Sequence, residues 1–344
     1  MDSRLRSTHI DGLRGLAVLL MVLVHAAATW EPTLSGGSML LGIAVSAGGG
    51  LAAPLFVALL GWGLYQRRLT GKQRLHRAAY LFGCQVLVNL SAPHLFEPWT
   101  PGVLSLMGLL VVTEAWWGRP WKRSPAGSLW AFGTAVALVL VFTVVFASWQ
   151  GPSNWYDRIA STSVAEWISH LALTGLYPFV PWIVFACLGM TVASLTEKGQ
   201  RTGLLRLVSG LGLLVSLFVL AEAWSKGQTW ALPTGEASLT FFPANPPFIV
   251  AALTGTALLW WVAERAAVFT VFVDLGRVSL TVYVLHFFPM TLFHGMDELN
   301  QWSSALSATV VVGYTAAWVV IGTWVHRRVP HFTLEALMRR RGPS

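Results

Sequence analysis

Apolar runs alternate with short polar or basic connections along the whole chain, and that pattern predicts about ten membrane-spanning helices. The first run, residues 9–30, reads HIDGLRGLAVLLMVLVHAAATW. Polar and charged residues open it. From Leu13 it then continues for about eighteen residues, long enough to cross a bilayer, with His25 the one ionisable side chain after Arg14. At 100° per residue, Asp11, Arg14, Val18, Met21 and His25 fall within one stripe of the helix. At about 1.5 Å per residue, His25 lies roughly 16 Å along the axis from Arg14. An imidazole that deep is costly against lipid, so the stripe is expected to face protein or water.

The remaining runs are 39–65, 78–90, 101–117, 127–149, 168–195, 204–224, 248–263, 273–293 and 304–325. The second holds Gly48–Gly50, Pro54, Gly61 and Gly63, glycines that let helices approach closely and a proline that kinks. The sixth is expected to bend at Pro178 and Pro181. The longest polar connection is 225–247, and a basic tail closes the chain at about 327–344. The pattern shows no repeat, no low-complexity segment and no soluble stretch large enough to fold alone. The expected architecture is therefore all-α, with a single membrane domain over 1–344.

Composition agrees. Of 344 residues, 55% are hydrophobic and 11% charged, against about 25% charged in soluble domains. The net charge of +8 does not point to nucleic acid, because the basic residues collect in short connections. With ten helices, all 23 Lys and Arg except Arg158 and Lys226 fall on the side of the termini. Glu31, Glu97, Asp157, Glu166, Glu236, Asp297 and Glu298 fall opposite. That asymmetry predicts both termini in the cytoplasm. Ala26–Ala28 follow a basic start as a signal cleavage site does, but the apolar run is too long for a signal peptide, so the first helix is expected to stay uncleaved. Cys84 and Cys187 lie in apolar runs without ligand spacing, so neither a disulfide nor a metal site is expected.

Several segments resemble one superfamily. The pattern R-x-x-x-I-D-G-L-R-G-L-A-V-L-L-M-V-L-V-H, from Arg6 to His25, is similar to the opening of the transmembrane acyltransferases. These include the heparan-α-glucosaminide N-acetyltransferase catalytic domain, its bacterial relatives and the related acyltransferase-3 proteins. APLFVALLGWG (53–63), YPFVPW (177–182), DLGRVSLTVYVLH (274–286) and the tail P-x-x-T-L-E-A-L-M-R resemble further segments of the same group. The resemblance implies transfer of an acyl group, acetyl first among them, from cytosolic acyl-CoA to a glycan or similar acceptor across the cell membrane, in bacteria the cytoplasmic membrane. The partners it implies are the lipid bilayer, acyl-CoA and a carbohydrate; a homodimer is compatible with it.

Arg14 and Arg277 stand at the cytoplasmic ends of their helices, each with an acid three residues earlier, Asp11 and Asp274. Such pairs are ordinary helix chemistry, and interfacial arginines snorkel. The functional reading is that guanidinium groups bind the phosphates of coenzyme A bidentately, which makes Arg14, Asp11 and Arg277 the donor-binding candidates. A membrane histidine often only packs, but imidazole can take a proton from an acceptor hydroxyl or amine near neutrality. The resemblance to acyltransferase-3 proteins implies that His25 is catalytic. In the animal heparan enzymes an asparagine stands at this place and a histidine follows in the next loop; residues 31–38 here contain no histidine, which concentrates the role on His25. Direct transfer and an acyl-histidine route both stay open.

His286 is the second catalytic candidate. On a regular ninth helix it shares a stripe with Ser279 and Tyr283 and faces 180° away from Arg277, which would set one of those two outside the site. His94 and His294 fall near acidic neighbours at the outer face. The rival class is a small-molecule transporter or channel, for which buried histidines, arginines and broken helices are equally natural. A relative without activity, kept as a scaffold, is a third.

Overall fold

The computed structural model describes residues 7–33, 36–122, 124–195 and 198–340. Arg6 of the first motif, Leu34 and Ser35 of the first connection, Arg123 of the second basic connection and the tail from Arg341 lie outside them. The chain is helical. Its helices are α1 (Thr8–Trp30), α2 (Met39–Gln66), α3 (Gly71–Ser91), α4 (Val103–Trp117), α5 (Pro125–Val145), α6 (Tyr156–Ile159), α7 (Val164–Ser169) and α8 (Phe179–Ser194). There follow α9 (Lys198–Ser225), α10 (Pro246–Ala263), α11 (Val273–Arg277), α12 (Ser279–Leu285), α13 (Phe287–Asn300), α14 (Ser304–Arg328) and α15 (Leu334–Arg340). Among the described residues the only strands are Ala231–Leu232 and Leu239–Thr240, which pair in parallel inside the longest polar connection.

Among the described residues six helices are long and apolar enough to cross a membrane: α1, α2, α5, α9, α10 and α14. Two bent pairs make eight if each is one span: Val164–Thr174 with Phe179–Ser194, bent by 48°, and Ala267–Arg277 with Ser279–Asn300, bent by 65°. This is a multi-pass membrane protein. The third and fourth expected spans are present as helices but stand outside those eight. α4 has only 15 residues, and α3 opens with Lys72, Arg74 and Arg77.

The bend of the sixth run falls where the prolines put it, with Pro178 at the N-cap of α8. The single regular helix expected over 273–293 is broken instead. α11 ends at Arg277, Val278 leaves helical geometry at φ −121° and ψ 25°, and α12 restarts at Ser279. The expectation that Arg277 and His286 face apart rests on a continuous helix, so it does not hold.

The described residues form two compact units, one of those up to Leu55 with those from Leu259 onward, the other Phe56–Leu258. In the first, α1 is central and buries Ile10, Asp11, Leu13, Ala17, Val18, Met21 and Val22. Val18 and Met21 of the predicted stripe thus face protein, as the cost of exposing His25 to lipid requires. Two glycines set how closely α11 and the 3-10 stretch Ala267–Phe272 approach. A methyl on Gly276 would lie 1.8 Å from the carbonyl oxygen of Asp11, and one on Gly15 2.0 Å from that of Phe272. Backbones therefore touch, the approach that small residues permit between membrane helices. Arg277, next to Gly276, is carried to α1 by that contact. α1 stops at Glu31, whose left-handed backbone (φ 38°) returns its N–H to the Ala27 carbonyl.

In the second unit, α2 meets α8 by the same device. A methyl on Gly61 would lie 2.0 Å from the Ala186 carbonyl oxygen, and one on Gly189 1.7 Å from that of Ala58. α3 starts with a capping box between Thr70 and Gln73. Buried Glu114 pairs with Arg74 at 3.2 Å and with Lys122. Arg158, one of the two exceptions to the charge asymmetry, is 1% exposed. Its guanidinium donates to five backbone carbonyls, those of Pro152, Thr174, Gly175, Gln150 and Gly151, at 2.6–3.3 Å. Burial brings its pKa down to about 10, which leaves it charged at neutral pH. It staples a connection, and its placement follows from that work rather than from the charge rule.

Candidate active site

The two catalytic candidates, 261 residues apart in sequence, meet in the first unit. His25 Nδ1 lies 3.1 Å from His286 Nε2, and the rings are 11° from parallel. His25 arrives on α1, while His286 sits at the junction of α12 and α13. Phe287 packs against both rings, and Tyr283 and Trp318 meet His286 edge-on. The Tyr314 hydroxyl donates to the His286 backbone carbonyl. His286 is wholly buried and His25 only partly so.

Hydrogen bonding assigns the protons. His286 Nδ1 faces the carbonyl oxygens of Tyr283 at 2.7 Å and Val282 at 3.2 Å. Carbonyls only accept, so Nδ1 carries the hydrogen. With both rings neutral, His286 Nε2 is then an acceptor, and His25 Nδ1 must donate to it. The lone pair of His25 is left on Nε2, which has no hydrogen-bond partner among the described residues. The logic is that of any oriented base: a second group holds one ring nitrogen so that the other presents its lone pair.

The donor-binding candidates meet at the other end of α1. Asp11, 1% exposed, takes Arg14 at 3.2 Å on one carboxylate oxygen and Arg277 at 3.4 Å on the other. Asp274 pairs with Arg277 at 3.7 Å and with Arg327 at 2.8 Å. Arg277 Nη1 also reaches His326 Nε2 at 3.3 Å. Three arginines thus surround two carboxylates, and all three remain partly open to solvent, Arg14 at 29% and Arg277 at 35%. A guanidinium that a carboxylate holds while it still reaches solvent can be shared with an anionic ligand.

A family model for acyltransferase-3, described as an acyltransferase domain, matches residues 8–326. The chain belongs to the acyltransferase-3 family. A comparison with curated proteins finds no match. The match runs through both compact units and takes in both histidines and all of Asp11, Arg14 and Arg277. Membership makes the chain an acyltransferase, and the transporter reading gains nothing from it.

This acyltransferase-3 site also contains residues that the sequence reading passes over. His326 and Arg327 carry no motif; their one signal is the basic last turn of a helix. Tyr314 and Trp318 are four apart on an otherwise unremarked span, and nothing in the sequence selects them. His294 lies 3.6 Å from Glu298, one turn along its own helix. Among the described residues no three His, Cys, Asp or Glu side chains are grouped to hold a metal.

Proposed function

We infer that the protein transfers an acyl group, acetyl in the first case, from cytosolic acyl-CoA to a hydroxyl or amine of an extracytoplasmic glycan or similar acceptor. The observation that carries this reading is the histidine pair, with its lone pair left on His25 Nε2. In the reaction, His25 Nε2 removes the proton of the acceptor O–H or N–H as that atom attacks the thioester carbonyl carbon. The bond to sulfur breaks, and the thiolate of coenzyme A leaves with the proton from the imidazolium. His286 holds His25 in the needed tautomer throughout. In an acyl-histidine route the same nitrogen attacks the thioester itself, so both routes converge on His25.

Arg14 and Arg277, seated on Asp11, bind the phosphates of the donor. The charge asymmetry supports ten crossings, with α3 and α4 among them, and both termini in the cytoplasm. On that reading the arginine cluster faces cytosolic acyl-CoA and His25 lies deeper, toward the acceptor. The span of the family match across both units supports one acyltransferase domain over 1–344, and the cell membrane as its place.

Purified protein in lipid nanodiscs should release free coenzyme A from acetyl-CoA slowly without acceptor, and His25→Ala should abolish that release. Equal release by both proteins would sink the catalytic assignment. Single cysteines placed in 66–77 should be shielded from an impermeant thiol reagent in intact cells, while those in 225–247 should be labelled. The reverse pattern overturns the orientation.

A further inference from the structure

α12 begins without a cap of its own. Val278 occupies the N-cap position, where its side chain offers no acceptor, and the first N–H groups of a helix have no partner within it. The acceptor comes from the tail. Glu335 Oε1 accepts the backbone N–H of Leu280 at 2.7 Å and of Thr281 at 3.4 Å, and Oε2 accepts the Thr281 hydroxyl at 2.6 Å. Thr281 Oγ1 in turn accepts the N–H of Leu334 at 2.8 Å. The tail is shaped for this contact: buried Thr333 donates its hydroxyl to the Pro330 carbonyl and accepts the N–H of Ala336. Burial pushes the Glu335 carboxyl above its ordinary range, and the donors of Thr281 and Leu280 pull it the other way. A carboxylate at a helix N-terminus also meets the favourable end of the helix dipole.

α12 leads directly into His286, and its last residues supply the two carbonyls that hold His286 Nδ1. We propose that Glu335 is a positioning residue of the acyltransferase: by capping α12 it fixes the turn that orients His286, and through His286 the proton-accepting nitrogen of His25. Glu335 lies beyond residue 326, where the family match ends. The proposal rests on the histidine-pair reading of function.

The test compares E335A, E335Q, T281V and the double variant E335A/T281V, with H25A and H286Q as references. Three quantities are measured in nanodiscs: coenzyme A release from acetyl-CoA, the thermal midpoint, and the side-chain spectrum of 15N-histidine-labelled protein. The His286 signal is assigned by its loss in H286Q. E335A should lower the maximal rate about tenfold with an unchanged KM for acetyl-CoA, as loss of an orienting partner does, and should move the His286 signal. E335Q keeps a carbonyl acceptor for the backbone N–H groups and should restore most of the rate. The double variant should lose no more than E335A, because both changes remove the same contact. A full rate in E335A, an unmoved His286 signal, or a loss that appears in KM alone overturns the proposal. If E335A does not fold, the His286 signal in T281V decides in the same way. If H25A retains full release, the histidine-pair reading fails on its own, and the His286 signal in E335A still reports whether Glu335 positions that ring.

Discussion

The two ends of α1 solve the problem of polar groups in a membrane helix differently. At Asp11 the solution is charge: a buried carboxylate shared by two arginines that keep one side toward water. Among the described residues His25 makes no ion pair. A line of hydrogen bonds instead runs from the Tyr283 and Val282 carbonyls through His286 to His25, inside an aromatic wall. Ion pairs can be opened and shared with a charged ligand, which suits a group that binds. A neutral line of donors and acceptors has one free lone pair at its end, which suits a group that takes a proton. The contrast teaches that burial alone does not mark function; what matters is the valence left over.

Substitutions can break that contrast, beginning with the largest expected effect. His25→Ala removes the free lone pair and should cut transfer roughly 10²–10⁴-fold with folding and acyl-CoA affinity nearly intact. His25→Gln hydrogen bonds but does not titrate, so it should fail similarly. A fully active His25→Gln enzyme would falsify the contrast, since His25 would then merely pack. Thermal stability measured on both variants checks the same point: a packing role predicts that Ala lowers the midpoint and Gln does not.

At the charged end the large effect is on stability. Either Arg14→Ala or Arg277→Ala removes one arginine from Asp11, and the double variant removes both from a buried carboxylate. Loss of both arginines should cost about 3–5 kcal/mol, well beyond the sum of the single changes. Additive single effects in a thermal denaturation series would show that Asp11 reaches water. The single change Arg14→Ala should also weaken coenzyme A binding by roughly 10-fold to 100-fold, the worth of a hydrogen bond to a charged group. Isothermal titration with coenzyme A measures this, and unchanged affinity in a folded variant removes the phosphate role. The smallest effect belongs to Tyr314→Phe, which deletes one hydroxyl donor to the His286 carbonyl. It should lower stability by about 0.5–1.5 kcal/mol and the transfer rate only a few-fold.

How much of this could be read from the chain depends on the distance over which each feature is decided. Apolar run length and local spacing act within a few turns. They are enough to fix most of the helices, the stripe that joins Asp11, Arg14 and His25, and the pairs Asp11–Arg14 and Asp274–Arg277 three residues apart. The bend at Pro178 is equally local, because a proline lacks the N–H that the helix needs. The resemblance drew attention to His25 and the mid-helix position to His286, but neither to their contact.

Other features needed the folded chain. The break at Val278 has no proline to announce it, and assuming a regular helix there turned Arg277 and His286 to opposite faces. Whether Asp11 takes Arg277 as well as Arg14 depends on Gly276 lying against the α1 backbone, a contact between residues 265 positions apart. The partnership of His25 with His286, the arrival of His326 and Arg327 at Asp274 and Arg277, and the capping of α12 by Glu335 are likewise long-range. Hydrophobic periodicity says which face of a helix is buried, because that depends only on 3.6 residues per turn. It cannot say against what, because the partner is chosen by how closely two backbones pack and by which donors are still unpaired when they do.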